Sequence, residues 1–86
     1  MLLTKLTVML PRGLQARNTT VFVYKARSFN SVVILMKNGE YSNGKNIMRV
    51  MDLNVKNEEE ITLLVNGDDE NTAFHTLKNF LINGKV

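Results

Sequence analysis

Residues 10–26 read Leu10-Pro11-Arg12-Gly13-Leu14-Gln15-Ala16-Arg17-Asn18-Thr19-Thr20-Val21-Phe22-Val23-Tyr24-Lys25-Ala26. The hydrophobic period changes inside this stretch. Before it, Leu6, Val8 and Leu10 alternate with Thr7 and Met9, which is the two-residue period of a half-buried strand. That strand is expected over residues 2–10. Pro11-Arg12-Gly13 breaks it. From Ala16 onward, Thr19, Phe22, Val23 and Ala26 fall at the i, i+3, i+4, i+7 spacing of one helix face. The chain therefore opens with a strand, a tight break and an amphipathic helix.

The same reading extends outward. The helix should stop near Ser28, with Phe29 closing it against the core. Val32 to Met36 is apolar and rich in branched side chains, as in a strand. Lys37-Asn38-Gly39-Glu40 carries an Asn-Gly turn signal and leads into a short strand near Tyr41, which should pair back as a hairpin. Asn43-Gly44-Lys45-Asn46 breaks the chain again. Asn46 can N-cap a short helix over Ile47 to Leu53, since its side-chain oxygen can accept a free backbone N–H. Ile61 to Val65 reads as another strand, ended by Asn66-Gly67. Asp68 or Asp69 can cap a last helix, whose apolar stripe is Ala73, Phe74, Leu77, Phe80 and Leu81. The order is βαββαβα. Four short strands and three helices point to the α+β class, a two-layer sandwich with an antiparallel sheet and the helices on one face. Pattern alone leaves the strand order open.

Composition narrows the function. The 86 residues make one domain, 1–86, with 44% hydrophobic and 22% charged residues. There is no cysteine, which excludes disulfides, thiol chemistry and cysteine-bound metals. The one histidine, His75, lacks companions, so neither a metal site nor a cofactor is expected. No apolar run approaches the ~20 residues of a membrane span, and the N-terminus does not read as a signal peptide. A cytoplasmic protein is expected. Residues 1–56 hold nine Lys or Arg against two acids, while residues 57–86 hold two against six. A basic half attracts acidic proteins, nucleic acid or small anions; a solvated mixed surface explains the same charges. Few aromatics and no dense basic run count against nucleic acid. Glu58-Glu59-Glu60 and Asp68-Asp69-Glu70 read as a solvated loop and a helix start rather than paired catalytic acids.

Three stretches together resemble the HPr family of the bacterial sugar phosphotransferase system. Gly13-Leu14-Gln15-Ala16-Arg17 is similar to the family's Gly-Leu/Ile-His-Ala-Arg-Pro-Ala signature, with Gln15 at the histidine position and Asn18 at the proline. Lys45-Asn46-Ile47-Met48-Arg49-Val50-Met51-Asp52-Leu53 is similar to Lys-Ser-Ile-Met-Gly-Leu-Met-Ser-Leu, with Asn46 at the serine and Arg49 at a glycine. Gly67, the acids behind it and Ala73 give the third match. The resemblance spans nearly the whole chain. It implies an HPr-like open-faced sandwich and a phosphocarrier-like, non-enzymatic function. In the family, the histidine takes a phosphoryl group from Enzyme I, and an HPr kinase phosphorylates the serine to make a corepressor for a catabolite control protein. The catabolite-repression HPr-like subgroup also has glutamine for the histidine but keeps the serine. With Gln15 and Asn46, this chain departs from the family at both phosphorylation positions.

The resemblance implies a regulatory protein-binding module, with those three proteins as candidate partners. Arg17 resembles the arginine that neutralises the phosphoryl charge. Ile47, Met48 and Met51 resemble an exposed docking patch beside Thr20; ordinary helix core is the competing reading. Arg12, Arg17, Arg27, Lys45 and Arg49 would form a basic rim if they share a face. Two other functions stay open. One is a residual phosphocarrier using His75, Thr19, Thr20 or Ser42. The other is an HPr fold recruited for unrelated binding. An exposed first strand would allow either a monomer or a strand-swapped dimer.

Overall fold

The computed structural model describes residues 1–84. Its elements run β1 (Leu2–Thr7), α1 (Ala16–Arg27), β2 (Val32–Lys37), β3 (Glu40–Asn43), α2 (Ile47–Asp52), β4 (Glu60–Asn66) and α3 (Glu70–Asn83). The four strands form one sheet in the order β1-β4-β2-β3, with every pair antiparallel. β4 is the last strand in sequence, yet it inserts between the first two. The register aligns Leu6 with Ile61, Val33 with Val65, and Leu35 with Leu63 and Ser42. These residues occupy one face, and all of them are buried. Side chains alternate across a sheet, so the opposite face carries Leu3, Leu64, Ile34 and Tyr41.

The helices cover the buried face. The stripes expected from periodicity are the buried ones: Thr19, Phe22, Val23 and Ala26 in α1, and Ala73, Phe74, Leu77, Phe80 and Leu81 in α3. They meet the sheet residues in one continuous core. Each fully buried Leu, Val or Phe contributes about 1.5–3 kcal/mol of hydrophobic free energy, so the core carries most of the stability. Asn38 (φ 51°) and Gly39 (φ 82°) make the β2–β3 turn, as the Asn-Gly signal implied.

Two expectations need correction. The first strand ends at Thr7, not near Leu10. Val8 N–H still bonds Glu59 O at 2.9 Å, but Met9 N–H turns to Leu81 O at the end of α3 at 2.8 Å. Val8 and Leu10 stay buried, so their alternation reported burial beyond the ladder. Asp69 is the N-cap residue of α3, but its side chain makes no capping bond. Its carboxylate accepts Asn30 N–H at 2.8 Å, Ser31 N–H at 3.0 Å and the Ser31 hydroxyl. It fastens the entry to β2 instead. Glu70 serves the helix start, accepting Gly67 N–H at 3.1 Å.

Candidate functional site

The loop before α1 is held by bonds that do not involve the side chain of residue 15. Leu10 and Leu14 are buried and anchor its two ends. Arg12 (φ 71°) and Gly13 (φ 57°) are both left-handed. Gly13 N–H donates to Leu10 O at 2.7 Å, and Leu14 N–H to Val55 O at 2.9 Å. A Cβ on Gly13 would lie 2.3 Å from Val55 O, so no larger residue fits without displacing backbone. Asn18 Nδ2 donates to Pro11 O at 2.9 Å and Gly13 O at 2.8 Å, stapling the loop to the helix. Fully buried Thr19 donates its hydroxyl to Leu14 O at 2.6 Å. The staple by Asn18 is invisible in the sequence, where this position reads only as a missing proline.

Gln15 is the N-cap residue of α1, with extended backbone (φ −89°, ψ −178°) and no side-chain capping bond. Its carbonyl accepts Thr19 N–H at 2.8 Å, and the residue is exposed. No acidic residue occupies the first turn. Pro11, Arg12, Gln15, Ala16, Arg17 and Asn18 line a shallow concavity of about 490 Å³ here. Unpaired N–H groups of a helix start, with two exposed arginines beside them, favour an anion. Thr20 is exposed one turn on and returns its hydroxyl to Ala16 O at 2.8 Å.

α2 lies against α1. Asn46 is its N-cap, as expected: Oδ1 accepts Arg49 N–H at 3.1 Å. Val50 and Leu53 are buried and root the helix. Ile47 is half-buried against the core, whereas Met48 is 66% and Met51 37% exposed. The three residues therefore divide between the two readings, with Ile47 as packing and the methionines as surface. The five cations fall into groups. Arg12 and Arg17 share the concavity at α1. Arg27 Nε donates to Lys45 O at 2.8 Å, and Lys45 Nζ to Phe29 O at 2.7 Å, tying α1 to the approach to α2. Arg49 lies over β3, beside Tyr41 and Ser42.

A family model described as "PTS HPr component phosphorylation site" matches residues 3–83. The chain belongs to the HPr family. The HPr-like protein Crh of Bacillus subtilis (strain 168) is 44% identical over 73 residues, or 85% of this chain and 86% of that one. The solved phosphocarrier protein HPr of Bacillus anthracis has a TM-score of 0.91 at 31% identity, covering 93% of this chain and 95% of that one. The crystal structure of Bacillus subtilis Crh, a domain-swapped intertwined dimer, has a TM-score of 0.76 at 41% identity, covering 94% and 93%.

Set in the HPr fold, the other acceptor candidates separate. His75 is exposed on α3, edge-on to Phe74 with ring centroids 6.0 Å apart, and takes no part in the α1 site. Ser42 is buried and unavailable to a kinase as the fold stands. Thr19 spends its hydroxyl on the loop. Among the acids, Glu59 pairs with Lys37 at 2.9 Å and accepts Lys56 N–H at 2.7 Å. The Lys37 ammonium, followed by the Lys56 amide, holds its carboxyl below the usual range. It is a structural tie. No helix among the described residues is long and apolar enough to cross a membrane.

Proposed function

We propose that this HPr-family chain is a cytoplasmic regulatory module that carries no phosphoryl group at position 15 or 46. The observation that supports this is the placement of two amides, Gln15 and Asn46, each as the N-cap residue of a helix. The resemblance puts histidine and serine at these positions. An imidazole nitrogen has a basic lone pair near neutral pH; an amide nitrogen has none to give. Asn46 has no hydroxyl, and its oxygen is already committed to Arg49 N–H. Both positions are chemically fixed in one state.

The partner surface in this reading comprises Arg17, Thr20, Met48 and Met51, with Ile47 beneath and Arg49 at the margin. Exposed methionines adapt to varied apolar partners, and the arginines favour an acidic rim around them. Enzyme I, an HPr kinase and a catabolite control protein are the candidate partners. Intact mass tests the idea. The chain is incubated with Enzyme I and phosphoenolpyruvate, and separately with HPr kinase and ATP, with true HPr as control. No gain in mass is expected. The Gln15→His variant is expected to gain one phosphoryl group from Enzyme I, because its frame is already built. A phosphoryl group on the unaltered chain, mapped to His75 or a hydroxyl, would make it a working carrier instead.

A further inference from the structure

The two central strands are apolar on both faces. Val32 to Met36 in β2 is an unbroken apolar run, and Ile61 to Val65 in β4 is interrupted only by Thr62. A strand with one solvated face alternates apolar and polar residues; a continuous run belongs to a strand covered on both faces. The helices cover the face that holds Val33, Leu35, Ile61, Leu63 and Val65, all buried. On the other face Leu3 is 56%, Val32 55% and Tyr41 74% exposed, and Ile34, Met36 and Leu64 are half-buried.

The register makes these residues one patch. Leu3, Leu64 and Ile34 form a row across β1, β4 and β2. Lys5, Thr62, Met36 and Tyr41 form the next row on one side. Asn66 and Val32 flank the row on the other side. Among the strand residues of this face, charge enters only at Lys5 and Glu60, and both lie on the same side of the apolar row.

We propose that this face is an interface between two copies of the chain, packed sheet on sheet about a two-fold axis along the Leu3–Leu64–Ile34 row. The area suits a dimer. Tyr41 offers much of the roughly 150–250 Å² of an aromatic side chain. With Leu3, Val32 and the half-buried residues, pairing removes on the order of 1,000 Å² from water in the two copies together, the scale at which specific interfaces begin. The charge suits a second copy. One cation and one acid give the face no net sign, so it selects neither an acidic nor a basic partner, unlike the arginines at α1. A two-fold along the row lays each row residue against its own copy and Val32 against the partner's Met36. It sends the Lys5 and Glu60 ends of the two copies in opposite directions, so like charges stay apart. The product is a β-sandwich with its sheets about 10 Å apart.

The test is sedimentation equilibrium with amide shifts followed on dilution. At least half of the chain is expected as dimer at about 1 mM. Shifts on dilution should be confined to residues 3–5, 32–36, 41–43 and 62–66. Leu3→Glu and Leu3→Lys should each weaken association at least about tenfold. Because Leu3 meets its own copy, an equimolar mixture of the two variants should associate again. Leu3 is more than half exposed, so dispersed spectra of both variants will verify folding. A chain still monomeric at about 1 mM would overturn the proposal and leave the face to a different protein. A dimer that survives Leu3→Glu, as a strand-exchanged one would, also overturns it. So do dilution shifts confined to α1 and α2, or variants that fail to pair with each other.

Discussion

At position 46 an amide does the mechanical half of what a hydroxyl-bearing cap does. Asn46 Oδ1 satisfies one of the free N–H groups of α2, and that helix has only six residues to hold it together. Replacing the cap with Asn46→Ala should cost about 0.5–2 kcal/mol of stability, measured by urea unfolding, while Asn46→Ser should recover most of it. A loss confined to binding, with stability unchanged, would show that the cap bond contributes nothing. At position 15 no such cost is expected, because the Gln15 side chain makes no capping bond. The two replaced positions therefore differ physically: one side chain supports a helix and the other only faces outward. Asn46 was readable in the sequence because an N-cap is a local demand, and Gly13 was readable as part of the break after the first strand, though not its left-handed backbone. Asn18 was not. Its two acceptors are backbone carbonyls whose positions depend on the path of the loop.

Among the elements, the helix stripes were the most legible, since a 3.6-residue period states which face is buried. The end of β1 and the role of Asp69 were not legible. Met9 leaves the ladder because α3 offers Leu81 O, and the Asp69 carboxylate turns from its helix because Ser31, just before β2 and 38 residues earlier, offers its N–H and hydroxyl. Sequence distance hides such partners. Asp69 also carries a pH signature. The Ser31 hydroxyl, then the Asn30 amide, lower its carboxyl below the ordinary value of 3.8. The folded state thus holds the ionised form more tightly than the unfolded state. This stabilisation is complete above that ordinary value and disappears as pH falls through the lowered one. Thermal melts should show little dependence on this group from neutrality down to about pH 5, then a falling midpoint below about pH 4. Asp69→Asn should flatten that acid limb. An unaltered limb in the variant would assign it to Glu59 and Glu70, which are lowered in the same way.

Across the whole molecule, the sheet order leaves β1 at one edge and β3 at the other. A swapped dimer would keep every β1–β4 pair and open only the segment from Val8 to Gly13. Its dimer fraction should rise with concentration in light scattering while amides of β1 and β4 keep their exchange protection. A dimer that loses that protection would not be swapped. The β1–β4 pairing also has a consequence on the ribosome. Leu2 faces Val65, so the first strand emerges long before the strand that receives it. At roughly 5–20 residues per second, translation keeps β1 waiting roughly 3–12 seconds. During that interval β1 has no partner in its own chain, and the fourth strand of a neighbour that has not yet closed its own sheet would fit the same edge. If this chain swaps, its swapped fraction should therefore depend on ribosome spacing as well as on the equilibrium reached afterwards.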